Sequence, residues 1–336
     1  MDSIQNMSRT VLIIDGDVIA YRAAAAIETR TIKAVHKSSA WTKSFDNRTA
    51  LKEFLESKEK EYIPEDWEIE DIQTAEEPIA AYGIMKRQIE GFKSSLFADS
   101  VEVFISGKNN FRDTLPLPQQ YKGNRNHMLR PLHLRNCKKF LLENYKARVS
   151  DGMEADDYVI IRGYEVLAGK DMPIIVTVDK DANAYSGLNL YDFTKEKPEV
   201  KAVPTLGSLW DTGKKITGDG FMFFCFQMLI GDPVDHYKPT FLTNKKYGEK
   251  SAYNDLKDCK TEKEALQKVL DKYKEWYPDK FEYTAWNGEV IKSDYLHMFD
   301  LYFKCVHMKC SMDDPLDSKA FLKRFKINLK KTKESK

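Results

Sequence analysis

The residues most able to do chemistry in this chain are acidic, and they come in clusters. Asp15 and Asp17 flank Gly16 directly after an aliphatic run. Glu154, Asp156 and Asp157 open a stretch with helical spacing. Asp179 and Asp181 follow a second aliphatic run, and Asp232 and Asp235 follow the apolar segment 221–230. In an open parallel sheet, ligands sit beyond the carboxyl ends of the strands. Two of these acidic pairs fall at such ends, so a parallel sheet would bring them to one edge. Two unit charges about 4 Å apart repel by roughly 4 kcal/mol at an effective dielectric of about 20. Either several acids hold protons, or cations sit between them. All-oxygen ligation suits Mg2+ or Mn2+ rather than Zn2+. Two such ions about 3.5–4 Å apart support phosphodiester hydrolysis. The residues alone thus point to metal-dependent phosphoryl chemistry. Taken singly, each pair has a plainer reading: Asp favours turns and helix caps, and Glu154–Asp157 could merely complement a helix dipole. Their joint occurrence at strand and helix ends favours the chemical reading.

Basic residues lie between the acidic clusters. Arg112 follows a strand-like run, Tyr121-Lys122-Gly123-Asn124-Arg125 comes shortly after, and Arg130 lies beyond. A Lys and an Arg beside a metal site could hold a scissile phosphate and steady its developing charge. Tyr121 could stack on a base. The plainer reading is a solvated loop.

The elements that must position these groups follow from hydrophobic periodicity. The short β-branched and aliphatic run 11–14 reads as a buried strand, 101–105 and 174–178 read as a second and third strand, and 18–27, 131–145 and 154–168 read as helices. Alternation of the two implies an α/β fold with a mostly parallel sheet. Residues 28–95 form a long insertion with an acidic middle, ending in a helix near 79–97. After about residue 238 the character changes. Thr261 and Glu264 make a capping box, and Ala265, Leu266, Val269, Leu270, Tyr273 and Trp276 then share one helical face. The division expected is a domain over 1–235 and a helical DNA-binding region over 236–336. The chain's last stretch, 319–336, is a basic tail, as readily solvated charge as a phosphate contact.

Composition limits the alternatives. The 336 residues are 31% charged and 42% hydrophobic, typical of a soluble globular protein. A net charge of +1 names no partner, so any polyanion site must come from local arrangement. Five cysteines without regular spacing suit free thiols in a reducing, cytoplasmic setting. No apolar run reaches membrane-spanning length, and no membrane partner is expected. Cys305, His307 and Cys310, with His297 upstream, lack a CxxC pair. Their neighbours Tyr302, Phe303, Val306 and Met308 look like core, so zinc is disfavoured there.

Five segments in order — IIDGDVIAYRA (13–23), QYKGNR (120–125), EADDYV (154–159), TVDKDANAY (177–185) and MLIGDPVD (228–235) — resemble the 5′-nuclease family. That family includes flap endonucleases, the 5′-nuclease domain of bacterial DNA polymerase I and bacteriophage 5′→3′ exonucleases, and the last group is the most similar. The resemblance spans about residues 11–255. It implies a PIN-like α/β domain with a helical DNA-binding portion. By position, Asp15, Glu154, Asp156 and Asp157 would hold one metal ion, and Asp179, Asp181, Asp232 and Asp235 would complete a second site. Lys122 and Arg125 would contact the phosphate at the base of a helical arch. Catalysis would rest on Asp15, Asp157, Lys122 and Arg125, and Arg112, Tyr121, Arg130, Lys245, Lys246 and Lys250 would add DNA contacts.

The chain departs from the family pattern in three places. Ser106 stands where many members carry an acid after the second strand. The arch region, 126 to about 131, is short. The segment 236–246 lacks the glycines of the family's duplex-gripping hairpin, so support for a K+ site is weak. The implied activity is divalent-metal-dependent 5′→3′ exonuclease or flap endonuclease action on DNA, or on RNA primers in RNA–DNA hybrids. The implied setting is phage replication or recombination in the host cytoplasm, beside single-strand-binding protein or polymerase. The alternatives are a branched-DNA-binding protein with impaired catalysis and a PIN-type ribonuclease.

Overall fold

The computed structural model describes residues 8–39, 41–57, 66–126 and 128–327. The acidic stretch 58–65 and Lys330, Lys331, Lys333 and Lys336 of the basic tail lie outside them. The chain folds as two compact units.

The first unit is built on a six-stranded sheet. Its centre is β1 (Thr10–Asp15), whose run TVLIID is buried throughout. A strand covered on both faces reads as a continuous apolar run rather than an alternation. It pairs in parallel with β5 (Ser100–Ser106) on one side and β7 (Met172–Val176) on the other. Beyond β5 lies β6 (Arg148–Ser150). Beyond β7 come β8 (Asn189–Tyr191), also parallel, and β9 (Val200–Ala202), antiparallel at the edge. The chain thus goes from β1 out to one side and returns to the other. That reversal opens a crevice at the carboxyl end of β1, where such sheets hold ligands. Asp15, opposite Phe104 in the register, stands at this end. The turn after it needs a glycine: a Cβ on Gly16 would lie 2.7 Å from the Phe104 carbonyl oxygen. Helix α5 (Ala155–Ala168) lays Ala155, Val159, Ile160 and Val166 against a core shared with Ile13, Phe104 and Ile175.

The rest of this unit is mostly helical. Helix α6 (Gly220–Ile230) is apolar all round, which requires burial on every side. It is covered by α7 (Glu249–Leu256), α8 (Glu262–Trp276) and α9 (Tyr295–Val306), within one core that runs from Leu117 to Ile327. The Thr261 hydroxyl caps α8 by accepting the Glu264 N–H at 3.2 Å, and the six apolar positions read from the sequence are all buried. The Glu264 carboxylate reaches the Lys260 N–H rather than that of Thr261. Two antiparallel pairs, β10 (Leu209–Asp211) with β11 (Ile216–Gly218) and β12 (Phe281–Thr284) with β13 (Val290–Ser293), and the short α10 (Ser318–Arg324) complete the unit.

The second unit takes Asp17–Phe92 and Leu129–Lys146. Most of α1 (Gly16–Ala26) belongs to it, as do β2 (Glu28–His36), β3 (Trp41–Phe45) and β4 (Trp67–Ala75), an antiparallel sheet in the order β3-β2-β4. On this sheet α2 (Arg48–Ser57) packs Leu51 and Leu55 against Ile32, Ala34 and Phe45. Tyr82 of α3 (Pro78–Ser95) stacks on Phe140 of α4 (Leu134–Tyr145) at 4.7 Å.

These units divide the chain differently from the boundary read at residue 235. The described residues from Ala147 onward share a unit with β1 and β5, because α6 cannot be buried without the helices that follow it. No helix among the described residues is long and apolar enough to cross a membrane.

Candidate active site

The acids at the sheet's carboxyl edge are held by backbone geometry. Asp15, 3% exposed, receives the Thr177 hydroxyl at 3.4 Å, and that hydroxyl accepts the Asp179 N–H at 3.1 Å. Asp179 in turn accepts the Asp181 N–H at 2.8 Å, closing a turn just past β7. Across the crevice, Ser106 at the end of β5 accepts the Ala155 N–H at 2.9 Å. The serine in the acid's place therefore caps α5, the helix that carries Asp156 in its first turn.

These carboxylates act on one another. Burial, followed by the charges of Asp15, Asp179 and Glu154, pushes the Asp156 carboxyl well above the usual carboxylate range. Burial also raises Asp179, where Asp235 adds to the rise while the Asp181 N–H, Lys122 and Lys180 oppose it. Burial and the charges of Asp179, Asp232 and Asp235 raise Asp181 strongly. Asp156 thus feels the charges of Asp15, Asp179 and Glu154, and Asp181 those of Asp179, Asp232 and Asp235.

Three residues are employed differently from the sequence reading. Asp157, expected to hold a metal and take part in catalysis, is fully buried and bound bidentately by Arg112 at 2.6 and 2.9 Å. It also accepts the Glu154 and Lys309 N–H groups. Burial alone would raise its carboxyl, but the Arg112 guanidinium outweighs that and holds it below the usual range. Arg112, expected to meet DNA, is 2% exposed and donates further to the carbonyls of Cys305 and His307. A side chain so buried, with four hydrogen bonds inside the protein, cannot contact a phosphate outside it. Tyr121, expected to stack on a base, is buried, with its hydroxyl 3.0 Å from Glu154 and 2.8 Å from Asp235. A phenol has one hydrogen, so it donates to one of these carboxylates at a time.

Lys122, Arg125 and Lys180 pair with acids of the cluster. Lys122 reaches Glu154 and lies 3.8 Å from Asp235, and Arg125 pairs with Asp235 at 2.6 Å. Lys122 sits in the left-handed region (φ +53°), with its N–H donated to the Asp235 carbonyl at 2.9 Å. A non-glycine residue there carries about 1–3 kcal/mol of strain, which the surrounding contacts must hold in place. Lys180 binds Asp232 at 2.7 Å. Asp232, Asp235 and Glu154 therefore already have cationic partners. Arg130 is exposed and belongs to the second unit, its carbonyl accepting from Gln73. Lys245, Lys246 and Lys250 are exposed between α6 and the first turn of α7, and Lys245 lies 3.5 Å from Glu275.

Two residues escaped the sequence reading. Lys180 lies inside the D-K-D triplet, where the flanking acids drew attention. Gln227 is the sole polar side chain of α6; it is 2% exposed and donates to Asp181. An amide inside an otherwise apolar helix was the signal available.

Among the described residues, the one set of three His, Cys, Asp or Glu groups whose ligand atoms all lie within 4.8 Å of one another is His307, Cys310 and Asp314. Among the described residues, no three carboxylates at the sheet edge all come within that distance of one another. Their donor chemistry nonetheless fits a hard divalent cation: they are oxygen-only, and their mutual repulsion is relieved by positive charge.

No family model and no curated protein sequence matches the chain. Solved structures of bacteriophage T5 proteins are similar to it. A mutant of T5 5′-exonuclease is 14% identical, with a TM-score of 0.47 over 89% of this chain and 86% of that one. T5 5′-exonuclease with divalent zinc ions bound is 17% identical, with a TM-score of 0.46 over 89% and 88%. A pseudo-enzyme–product complex of bacteriophage T5 flap endonuclease with DNA and metal ions is 14% identical, with a TM-score of 0.47 over 95% and 100%. Likeness at this level assigns no activity.

Proposed function

We propose that this chain is a divalent-cation-dependent nuclease that hydrolyses phosphodiesters in DNA, acting from or near a 5′ end as an exonuclease or flap endonuclease. The observation that carries the reading is the cluster around Asp156, where burial and the charges of Asp15, Asp179 and Glu154 combine against ionisation. Acids held together against their own repulsion suit a site built for cations. Asp15, Glu154, Asp156 and Asp179 would hold one Mg2+ or Mn2+, and Asp181 with Asp179 would serve a second. Bound there, the ions would supply water activation and charge neutralisation for an in-line displacement. Lys122 and Arg125, held at the rim by Glu154 and Asp235, would orient the scissile phosphate. Asp157 and Arg112 act as positioning residues, fixing the amino end of α5. The 5′ polarity, a role in phage replication or recombination, and association with single-strand-binding protein or polymerase rest on the order of the five motifs alone.

The test is cleavage of 5′-labelled duplex, flap and RNA–DNA hybrid substrates with Mg2+ or Mn2+. The expected result is metal-dependent release from the 5′ side, abolished by Asp156→Ala. Undiminished cleavage by that variant would overturn the reading. Replacing Lys122 with Ala should slow cleavage by about 100-fold, the usual loss of one donor to developing charge. A second reading is favoured by Ser106 standing in the acid's place and by the spread of the carboxylates. It makes the chain a branched-DNA-binding protein that does not cut. Binding that survives chelation, with no cleavage under any divalent ion, would select it; preference for RNA would select a PIN-type ribonuclease.

A further inference from the structure

Outside the acidic edge, one cluster joins a nitrogen, a sulfur and an oxygen donor. A ring nitrogen of His307, the Cys310 sulfur and a carboxylate oxygen of Asp314 all lie within 4.8 Å of one another. His307 Nε2 is 3.1 Å from Asp314 Oδ2. The Asp314 carboxylate accepts the Cys310 and Leu316 N–H groups at 3.1 and 3.0 Å, and the His307 ring stacks on Phe303 at 4.7 Å. Two of the three donors are thus oriented by the protein itself. A His–Asp hydrogen bond accounts for those two, and the Cys310 thiol is the third donor beside them. The Cys310 thiol donates to the Met308 carbonyl at 3.7 Å, and its side chain packs against the core around Val159 and Met308.

Sequence spacing disfavours zinc on Cys305, His307, Cys310 and His297, but the structure brings Asp314, not Cys305 or His297, to His307 and Cys310; we propose that His307, Cys310 and Asp314 bind a zinc-class divalent ion that clamps the 305–314 segment. Imidazole, thiolate and carboxylate are the donors zinc takes, and a site with three protein ligands keeps water in the fourth position. Ligands about 2.0–2.3 Å from a tetrahedral ion lie about 3.5 Å apart, so the set closes with side-chain adjustment. Burial, with Asp314 nearby, pushes the Cys310 thiol up to about 12. Binding therefore breaks the S–H bond, forms a metal–sulfur bond and releases the proton to solvent. The site differs from the acidic edge in donor type: sulfur and imidazole nitrogen do not attract Mg2+. Its position gives it a consequence. The Cys305 and His307 carbonyls hold Arg112, and the Lys309 N–H holds Asp157. An ion fixing this segment would steady the buried ion pair under α5.

The test uses the full chain, stripped of metal by a chelator and titrated with Co2+. The expected result is a thiolate-to-cobalt absorption band in the near ultraviolet that saturates at one ion per chain. Zn2+ displaces the band and excess Mg2+ does not. Zn2+ also raises Tm. Cys310→Ser, checked for folding by circular dichroism, should lose both the band and the Tm rise. Asp314→Asn should weaken Zn2+ binding by about tenfold or more. Absence of the band in the parent chain, or its persistence in Cys310→Ser, would overturn the proposal. If Cys310→Ser does not fold, the parent titration and Asp314→Asn decide.

Discussion

Asp156 shows how a single carboxylate can serve function and oppose stability together. Its folded-state pKa is raised, as are those of Asp179 and Asp181. Stability tied to such groups is complete below the unfolded value, about 4. It is lost as pH rises through the folded value. Asp157, with its lowered value, works in the opposite direction and loses its contribution as pH falls below about 4. Without divalent ions, Tm should therefore decline above about pH 4. Asp156→Asn should flatten that decline and raise Tm at neutral pH by a few degrees, while abolishing cleavage. A thermal melt series across pH, with chelator present, checks the first part; an unchanged slope in the variant would contradict it. Arg112 presents the converse case. Arg112→Met leaves Asp157 buried without its counter-charge, which should destabilise by about 3–5 kcal/mol. Urea unfolding would measure it, and a loss under about 1 kcal/mol would show that Asp157 takes up a proton at little cost. Arg112 also marks where the sequence misleads. An arginine after a strand looks the same in one dimension whether it faces a phosphate or a carboxylate 45 positions onward.

Among the elements, those that carry the acids were the most legible. Strand β1, buried throughout, appears as an unbroken aliphatic run, and β5 and β7 carry runs of buried apolar residues in the same parallel sheet. Helix α5 opens with acids and then repeats apolar residues at helical spacing, and α8 displays its cap and stripe outright. What the sequence concealed was the use of the helix ends. Ser106 and Asp157 look like a lost ligand and a kept one, yet both bind amides at the start of α5. Distinguishing a ligand from a cap takes the third dimension, since both roles select short polar side chains beside a strand end. The turn from β1 into α1 provides a test of this packing. A methyl group on Gly16 would stand 2.7 Å from the Phe104 carbonyl and 2.8 Å from side-chain atoms of Val103 and Ile105. Backbone cannot yield as a flexible side chain can, so Gly16→Ala should cost about 1–3 kcal/mol. The same change should slow cleavage, because Asp15 moves with the turn. A variant of unaltered Tm and rate would mean that β1 and β5 separate more readily than their register implies.

For the whole molecule, the boundary read at residue 235 does not coincide with an edge of either compact unit, for a reason that sequence patterning cannot reveal. The acidic motif ending at Asp235 closes the chemistry, and the change in composition after it looks like a new domain. Yet α6, just before that point, buries ten consecutive residues from Gly220 to Leu229, and much of its cover comes from α7, α8 and α9, which follow. Tyr273 of α8 donates to the Met228 carbonyl of α6, and Tyr302 of α9 donates to the Lys238 carbonyl. Arg112 depends on carbonyls at 305 and 307. A chain ending at residue 235 would therefore expose an apolar helix on several faces and leave Arg112 without two of its acceptors. Such a fragment should aggregate or remain molten, with no cooperative thermal transition, even though it contains every acidic motif. Circular dichroism in the near ultraviolet and gel filtration would decide the matter. A soluble, cooperatively melting fragment would mean that the sheet and its acids fold without the later helices. The acidic edge would then be a property of 1–235 alone, and the helices beyond it would owe their place to binding rather than to the core.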